Sequence, residues 1–144
     1  MTTVRNVLKD KGHTVHQIKP DATVFDALRM MAEHDIGALA VFDSDKLAGI
    51  VTERHYARNV VLKGRTSPGT LVREIMSTNV VCAQLDQTVE ECMAVMTAKA
   101  VRHLPVLEHS SVVGIVSIGD LVKNIIADKK FTIDQLARYI QGSR

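Results

Sequence analysis

Gly114-Ile115-Val116-Ser117-Ile118-Gly119-Asp120 is a short apolar run that ends in a hydroxyl and, three residues later, in a carboxylate. A shift of 65 residues places its first four positions on Gly49-Ile50-Val51-Thr52, and the match continues upstream without a gap. The residues that are identical under this shift include Asp21/Asp86, Thr23/Thr88, Val24/Val89, Met31/Met96, Leu39/Leu104, Val41/Val106 and the two Gly-Ile-Val triplets. The chain is therefore a tandem repeat.

Length and composition are typical of a soluble globular protein. The 144 residues suffice for a domain with a proper core, and 46% apolar and 24% charged residues are usual values. A net charge of +2 and 3% aromatic residues argue against a nucleic-acid partner, which needs clustered cations and stacking rings. No apolar run approaches the roughly eighteen residues of a membrane span, and residues 1–6 hold no signal-peptide core. We therefore expect a cytoplasmic protein with no membrane partner.

The spacing of apolar residues predicts the elements of each repeat. Val24, Ala27, Leu28 and Met31 recur at helical spacing, which predicts a helix over 23–34. The rest of the first repeat is predicted as a hairpin of strands 39–42 and 47–51 and a helix over 53–63. The second repeat is predicted as a strand at 80–83, a helix at 89–96, strands 104–107 and 112–116, and a helix at 121–126. Further predictions are a short helix or arm at 4–10, helices at 71–76 and 132–140, and an extended run at 15–18.

Two such repeats divide the chain. The first covers 11–63 and the second 71–128, a loop at 64–70 joins them, and a C-terminal helix occupies 129–144. Each repeat is predicted as β-α-β-β-α, so the fold class is α/β in the broad sense, or α+β. One unit has too little core to stand alone. We expect the two to pack face to face through their sheets around a common interior.

The repeat, the strand Leu104-Pro105-Val106 and the ending Gly114-Ile115-Val116-Ser117-x-x-Asp120 resemble a pair of cystathionine-β-synthase (CBS) domains, also called a Bateman module. The resemblance covers roughly residues 11–128. It implies a non-enzymatic regulatory module for signal transduction, which binds an adenine nucleotide between its repeats: AMP, ADP, ATP or a dinucleotide such as NAD. It also implies a homodimer, paired through the helices at 56–61 and 121–126. The resemblance leaves open whether a protein partner responds to ligand binding.

The chemistry of adenosine explains the ending of the second repeat. An ionised carboxylate at Asp120 could accept from both ribose hydroxyls. Phosphate prefers donors at a helix N-terminus, where Ser117 and the amides of Ile118 and Gly119 are expected. We therefore assign Ser117 and Asp120 to nucleotide binding.

The same spacing has a purely structural alternative. Ser117-x-x-Asp120 is also a helix capping box, in which the hydroxyl and the carboxylate satisfy each other's backbone amides. The sequence repeats this device at Thr23/Asp26 and Thr88/Glu91. Both roles can coexist in one aspartate.

The resemblance assigns further residues to the nucleotide site. Their roles are phosphate or ribose contact for Arg102 and His103, a base contact for Leu104, an adenine wall from Thr14, Val15 and His16, and phosphate contact across the module centre for Arg54. Each assignment has a structural alternative. Arg102 and His103 would be exposed loop charges, residues 14–16 a plain edge strand, and Arg54 part of a solvated helical turn.

The first repeat departs from the pattern, because His55 stands where the aspartate belongs. An imidazole cannot bracket a diol with negative charge. We therefore predict a second site that is weaker, differently occupied or empty. Its members are Ala38, Thr52, His55, Lys63 and Arg65. Lys63 and Arg65 would form a pyrophosphate rim, or simply cap a helix C-terminus.

Catalytic and metal chemistry find little support in the sequence. His13-x-x-His16 has no partnering cysteine pair or glutamate, and Cys82 and Cys92 fall on the apolar pattern. No nucleophile comes with an adjacent base. We predict neither a metal nor catalytic residues, and we keep one alternative function, a dimeric interaction scaffold with a vestigial nucleotide site.

Overall fold

The structure is a computed structural model that describes residues 2–142. The elements in chain order are α1 (Val4–Lys11), β1 (Gln17–Ile18), α2 (Val24–His34), β2 (Ala38–Asp43), β3 (Lys46–Thr52), α3 (Glu53–Tyr56), a π-helical segment (Ala57–Val61), a 3₁₀ turn (Val72–Glu74), β4 (Ala83–Gln84), α4 (Val89–Lys99), β5 (His103–Glu108), β6 (Ser111–Ser117) and α5 (Ile118–Gly142). Within these residues, no helix is both long and apolar enough to span a membrane.

Two three-stranded sheets confirm the repeat. Their orders are β1-β2-β3 and β4-β5-β6, with the first pair parallel and the second antiparallel in each sheet. The register also repeats, since Ala38 pairs with Thr52 and His103 pairs with Ser117. The predicted fold class is confirmed, although β4 is shorter than the predicted strand and lies at its C-terminal edge.

Threonine caps start the central helix of each repeat. The hydroxyl of Thr23 accepts from the Asp26 amide, and that of Thr88 accepts from the Glu91 amide, both at 3.1 Å. These contacts satisfy backbone donors that the helix leaves unpaired. Both predicted threonine caps are therefore confirmed. At Thr88 the capping box is complete, because the Thr88 amide donates to Glu91 Oε1 at 3.1 Å. At Thr23 it is not, because Asp26 Oδ1 accepts from Arg29 at 3.2 Å instead.

The interior is divided into two cores, so the expected common interior is wrong. α1 packs Val4, Val7 and Leu8 into the core of the second repeat. Val72 and Ile75, at the start of the second repeat, pack into the core of the first. Each core is thus completed by a segment from the other half of the chain, which ties the repeats together.

This exchange explains the glycine of each Gly-Ile-Val triplet. A Cβ on Gly114 would lie 2.7 Å from Leu8 Cδ2, and a Cβ on Gly49 would lie 2.5 Å from the backbone oxygen of Ser77. The crossing segment in each case packs directly on the backbone of the strand.

The helices that end each repeat differ from the predictions. The helix predicted at 53–63 starts as α3 but widens to a π-helix at Ala57. The helices predicted at 121–126 and 132–140 are parts of one 25-residue helix, α5. No proline or glycine separates them, so the polar run between them continues the helix.

Candidate functional site

Two cavities open between the repeats. Cleft A, of about 560 Å³, is lined by Lys11, Gly12, Thr14, His16, Asp35, Ile36, Gly37, Ala38, His103, Ile115, Ser117 and Asp120. Cleft B, of about 400 Å³, is lined by Gly37, Ile50, Thr52, Glu53, Arg54, His55, Arg58, Ser77, Asn79, Val80, Val81, Ala100, Val101, Arg102 and His103. Gly37 and His103 belong to both, so the two clefts share a wall.

Asp120 lies in cleft A and also caps α5. Its Oδ2 accepts from the Ser117 amide at 2.8 Å, and its own amide donates to Ser117 Oγ at 3.1 Å. The capping box is therefore present, and the same carboxylate lines the cavity.

Lys11, at the end of α1, pairs with this carboxylate. Lys11 Nζ lies 2.6 Å from Asp120 Oδ2 and also donates to the Ile115 carbonyl at 2.6 Å. Burial raises the pKa of Asp120, but the hydrogen bonds from Lys11 and Ser117 outweigh it and leave that pKa below its usual value. The carboxylate is thus ionised at neutral pH.

Two imidazoles form further walls of cleft A. The rings of His16 and His34 stack with centroids 3.9 Å apart and an interplanar angle of 22°. Burial, His34 and Lys11 lower the pKa of His16. Burial, followed by the charge of Lys11, lowers the pKa of His103 to about 4. His103 is therefore neutral at pH 7.

His55 takes the place of the carboxylate in the cap of α3. The Thr52 amide donates to His55 Nδ1 at 3.1 Å, and the His55 amide donates to the Thr52 hydroxyl at 3.2 Å. Burial, then Arg54 and Arg58, lower the pKa of His55. Because Nδ1 accepts, the neutral ring carries its proton on Nε2 and offers one donor.

Three arginines give cleft B a positive charge. Arg58, followed by burial and Arg102, lowers the pKa of the partly exposed Arg54, because both neighbouring guanidinium groups repel its charge. The ion pairs among the described residues include Lys11–Asp120, Arg29–Asp26 and Arg65–Glu74. None of them neutralises this arginine cluster, and such clusters suit phosphate.

The clefts sort the residues predicted for the nucleotide site. Thr14, His16, His103, Ser117 and Asp120 line cleft A, whereas Arg54 and Arg102 line cleft B. Val15 is half-buried and lines neither cavity, and Leu104 is fully buried in the second core. Leu104 thus has no exposed surface, and its neighbour His103 lies at the cavities instead.

The residues predicted for the second site are dispersed. Thr52 and His55 line cleft B, but Ala38 lines cleft A. Lys63 and Arg65 line neither cleft, and Arg65 donates to Glu74 at 2.6 Å. The chain beyond the π-helical segment therefore leads these cations away from the cavity.

Sequence reasoning missed Lys11, Asp35, Gly37 and Arg58. Lys11 meets Asp120 across 109 positions of sequence, so no local pattern announces it. Arg58 had a local signal, because it follows Arg54 by four residues, which places both on one helical face.

A model of the CBS domain matches residues 4–61 and 72–127. The two matches cover most of the sequence, so the chain belongs to the CBS-domain family and is a CBS-domain pair. Such pairs are regulatory and signalling modules.

Known proteins of this kind resemble most of the chain. A solved CBS-domain protein from Burkholderia ambifaria, assigned to signal transduction, is 51% identical with a TM-score of 0.86, over 88% of this chain and 96% of that one. The mitochondrial CBS domain-containing protein CBSX3 of Arabidopsis thaliana is 35% identical over 98% of this chain and 73% of that protein. The CBS domain pair of protein MJ0100, solved with 5′-methylthioadenosine and S-adenosyl-L-methionine, has a TM-score of 0.77 over 90% of this chain and 98% of that one. At 24% identity, this last likeness concerns the fold alone.

Proposed function

We propose that this CBS-domain pair is a non-enzymatic sensor that binds an adenine nucleotide, with the adenosine in cleft A. One observation carries the proposal: the ionised carboxylate of Asp120 lies in a cavity between the repeats. Its Oδ2 is engaged by Ser117 and Lys11, whereas Oδ1 has no hydrogen-bond partner within residues 2–142. A ribose diol supplies two adjacent donors for such a carboxylate.

Lys11 is part of this proposed site. The second hydroxyl of the diol requires Oδ2, so the ligand competes with Lys11 for that oxygen. The freed ammonium remains in cleft A, beside the ribose. Thr14, His16 and Ser117 complete the proposed contacts in this cleft.

The phosphates extend toward cleft B in this proposal. The wall that the clefts share, Gly37 and His103, leads from Asp120 to the arginine cluster of Arg54, Arg58 and Arg102. These guanidinium groups have no carboxylate partner in the described chain and suit oligophosphate. AMP, ADP, ATP and NAD are therefore the ligands to test, and we expect affinity to rise with the number of phosphates.

Cleft B is also the proposed second, weaker nucleotide site. Thr52 and His55 are the equivalents of Ser117 and Asp120, but the imidazole offers no negative charge to a diol. Occupancy there should depend on the phosphates.

The test is calorimetric titration at pH 7 with adenosine, AMP, ADP, ATP and NAD. Asp120→Asn keeps an acceptor for the Ser117 amide but removes the charge. The matched control is Glu91→Gln, because Glu91 occupies the same capping position of α4 and lines neither cleft. We expect Asp120→Asn to weaken binding about 100-fold, the loss of two charge-assisted hydrogen bonds, and Glu91→Gln to leave it unchanged. Equal affinity in Asp120→Asn and the parent protein would reduce Asp120 to a helix cap.

The alternative is a dimeric interaction scaffold with a vestigial site. Two observations favour it: Lys11 already occupies Asp120, and His55 replaces the second carboxylate. Failure of every adenine ligand to bind the folded protein would support this function over the sensor.

A homodimer is part of both proposals, and the exposed Val61, Leu62 and Ile126 near the predicted pairing helices support it. A cytoplasmic location stays a prediction.

A further inference from the structure

The C-terminal half of α5 extends away from the two cores. Among the helix residues whose side chains the structure describes, Ile125 is the last that packs against the second core, and Asp128 accepts from the Thr2 hydroxyl at 3.1 Å. From Lys129 onward, every side chain whose burial the structure describes is exposed. Residues 129–142 therefore form about 21 Å of projecting helix. A helix of this length is marginal in water without a packing partner.

An apolar stripe runs along this projection. Val122, Ile126, Ile133, Leu136 and Ile140 are exposed, and Ile126, Ile133 and Leu136 show 59%, 63% and 57% of their surface. With Lys129 they follow alternating spacings of four and three residues. This is the heptad seam of a two-helix coiled coil, with isoleucines at one seam position and Val122, Lys129 and Leu136 at the other.

We infer that the stripe pairs with the stripe of a second copy of this chain, with the two α5 helices antiparallel. This surface lies mainly beyond the helices at 56–61 and 121–126, and it does not depend on nucleotide binding. A twofold axis at position 131 matches the two seam positions throughout. It places Ile126 against Leu136 of the second copy, Val122 against Ile140, and Lys129 against Ile133.

The charge on the stripe selects this orientation. A parallel pair in register would stack Lys129 on Lys129 of the second copy within the seam, where like charges repel. In the antiparallel pair the aliphatic stem of Lys129 covers Ile133 of the second copy, and its ammonium lies near Asp134, which follows that isoleucine in sequence. The stripe is therefore complementary to itself, as a twofold interface requires.

A second copy also fits the shape of the surface better than an unrelated protein. Among the side chains of this helix whose burial the structure describes, the exposed large apolar residues beyond Ile118 follow one narrow seam, and an identical helix reproduces its spacing. The partner helix would continue onto Val122 and Ile126, which are exposed on the folded body. Each projecting helix thus covers the apolar start of the other.

Multi-angle light scattering at micromolar concentrations tests the pairing. We expect the parent protein to be a dimer. Leu136→Asp and Ile126→Asp each bury two charges in the seam and should weaken the dimer by at least about 100-fold. Gln135→Asp is the matched control, since it adds the same charge to the exposed helix off the seam, and it should remain dimeric. Circular dichroism checks the fold of each variant. A monomeric parent protein, or a dimer that tolerates Leu136→Asp, overturns the inference.

Disulfide trapping tests the orientation. The double variant Ile126→Cys/Leu136→Cys should give a covalent dimer on oxidation, because each new thiol faces the other in the second copy. The two positions are about 15 Å apart on one helix, too far for a bridge within a chain. Ile133→Cys alone should not cross-link beyond the parent protein, whose own thiols are Cys82 and Cys92. A covalent Ile133→Cys dimer would show parallel helices and overturn the antiparallel arrangement.

Discussion

In the first repeat, the Thr52 amide at the start of α3 donates to an imidazole nitrogen of His55. In the second repeat, the Ser117 amide at the start of α5 donates to a carboxylate oxygen of Asp120. The backbone is built alike in both, but the chemistry is opposite. Cleft A has an anionic acceptor held by Lys11, and cleft B has a neutral ring beside the arginine cluster. The repeated fold therefore has two cavities that are chemically unequal, because the cap residue presents a carboxylate to cleft A and an imidazole to cleft B.

The largest expected effect concerns a feature that the two repeats share. In each, a segment from the other half of the chain packs on the glycine of the Gly-Ile-Val strand. Gly49→Ala should lower the free energy of unfolding by about 3 kcal/mol, because its Cβ would meet a backbone oxygen that cannot turn aside. Gly114→Ala should cost about 1 kcal/mol, because Leu8 can adjust its side chain. Chemical denaturation measures both.

The control for these glycines is Gly119→Ala. The nearest atom to a Cβ there, Ser117 Oγ, is 3.6 Å away, which is ordinary contact, and the site is helical, so this change should be neutral or stabilising. Equal stabilities for all three variants would show that the crossing segments do not pack tightly on the strands.

A medium effect concerns His103, in the wall that the clefts share. Its pKa of about 4 reflects burial and the charges of Lys11 and Arg102, against which the charge of Asp120 acts. Below pH 6.5 the imidazole binds a proton in the unfolded state but not in the folded state. The free energy of unfolding therefore decreases as the pH is lowered to about 4. Between pH 6.5 and 5 the loss from this residue should be at most about 2 kcal/mol.

The measurement is the free energy of unfolding across that pH range for the parent protein, His103→Gln and His109→Asn. His103→Gln should flatten the dependence, and His109→Asn, in an exposed turn, should keep it. A dependence that survives His103→Gln unchanged would assign it to His16 and His55, whose pKa values burial also lowers.

Much of this architecture follows from the sequence, because its causes are local. The caps at Thr23, Thr88 and Ser117 depend on residues three positions away, and the hairpins depend on apolar runs around a polar turn. Because the chain is a tandem repeat, the elements of its second half can be predicted from those of its first half.

The remaining features depend on contacts that sequence patterns do not carry. Lys11 reaches Asp120, and Leu8 reaches Gly114, only after the halves have exchanged segments. Arg54 and Arg102 belong to different repeats and meet in cleft B only when the repeats pack together. The resemblance predicts that Leu104 contacts the base, but strand alternation allows burial equally well, and Leu104 lies fully buried in the second core.

The smallest expected effect would remove the difference between the caps. In His55→Asp a carboxylate oxygen lies as many bonds from Cβ as the Nδ1 that it replaces, so the bond from the Thr52 amide should be kept. The new charge would offer a diol acceptor in cleft B. The proposed second site should then bind AMP about fivefold more tightly, roughly 1 kcal/mol, because Arg54 and Arg58 also neutralise part of the added charge. Calorimetric titration with AMP measures this change. His55→Asn is the matched control, since it keeps the acceptor for the amide without the charge. A gain shared by both variants would mean that the imidazole merely obstructs the cleft, and the missing charge would no longer explain why the two repeats differ.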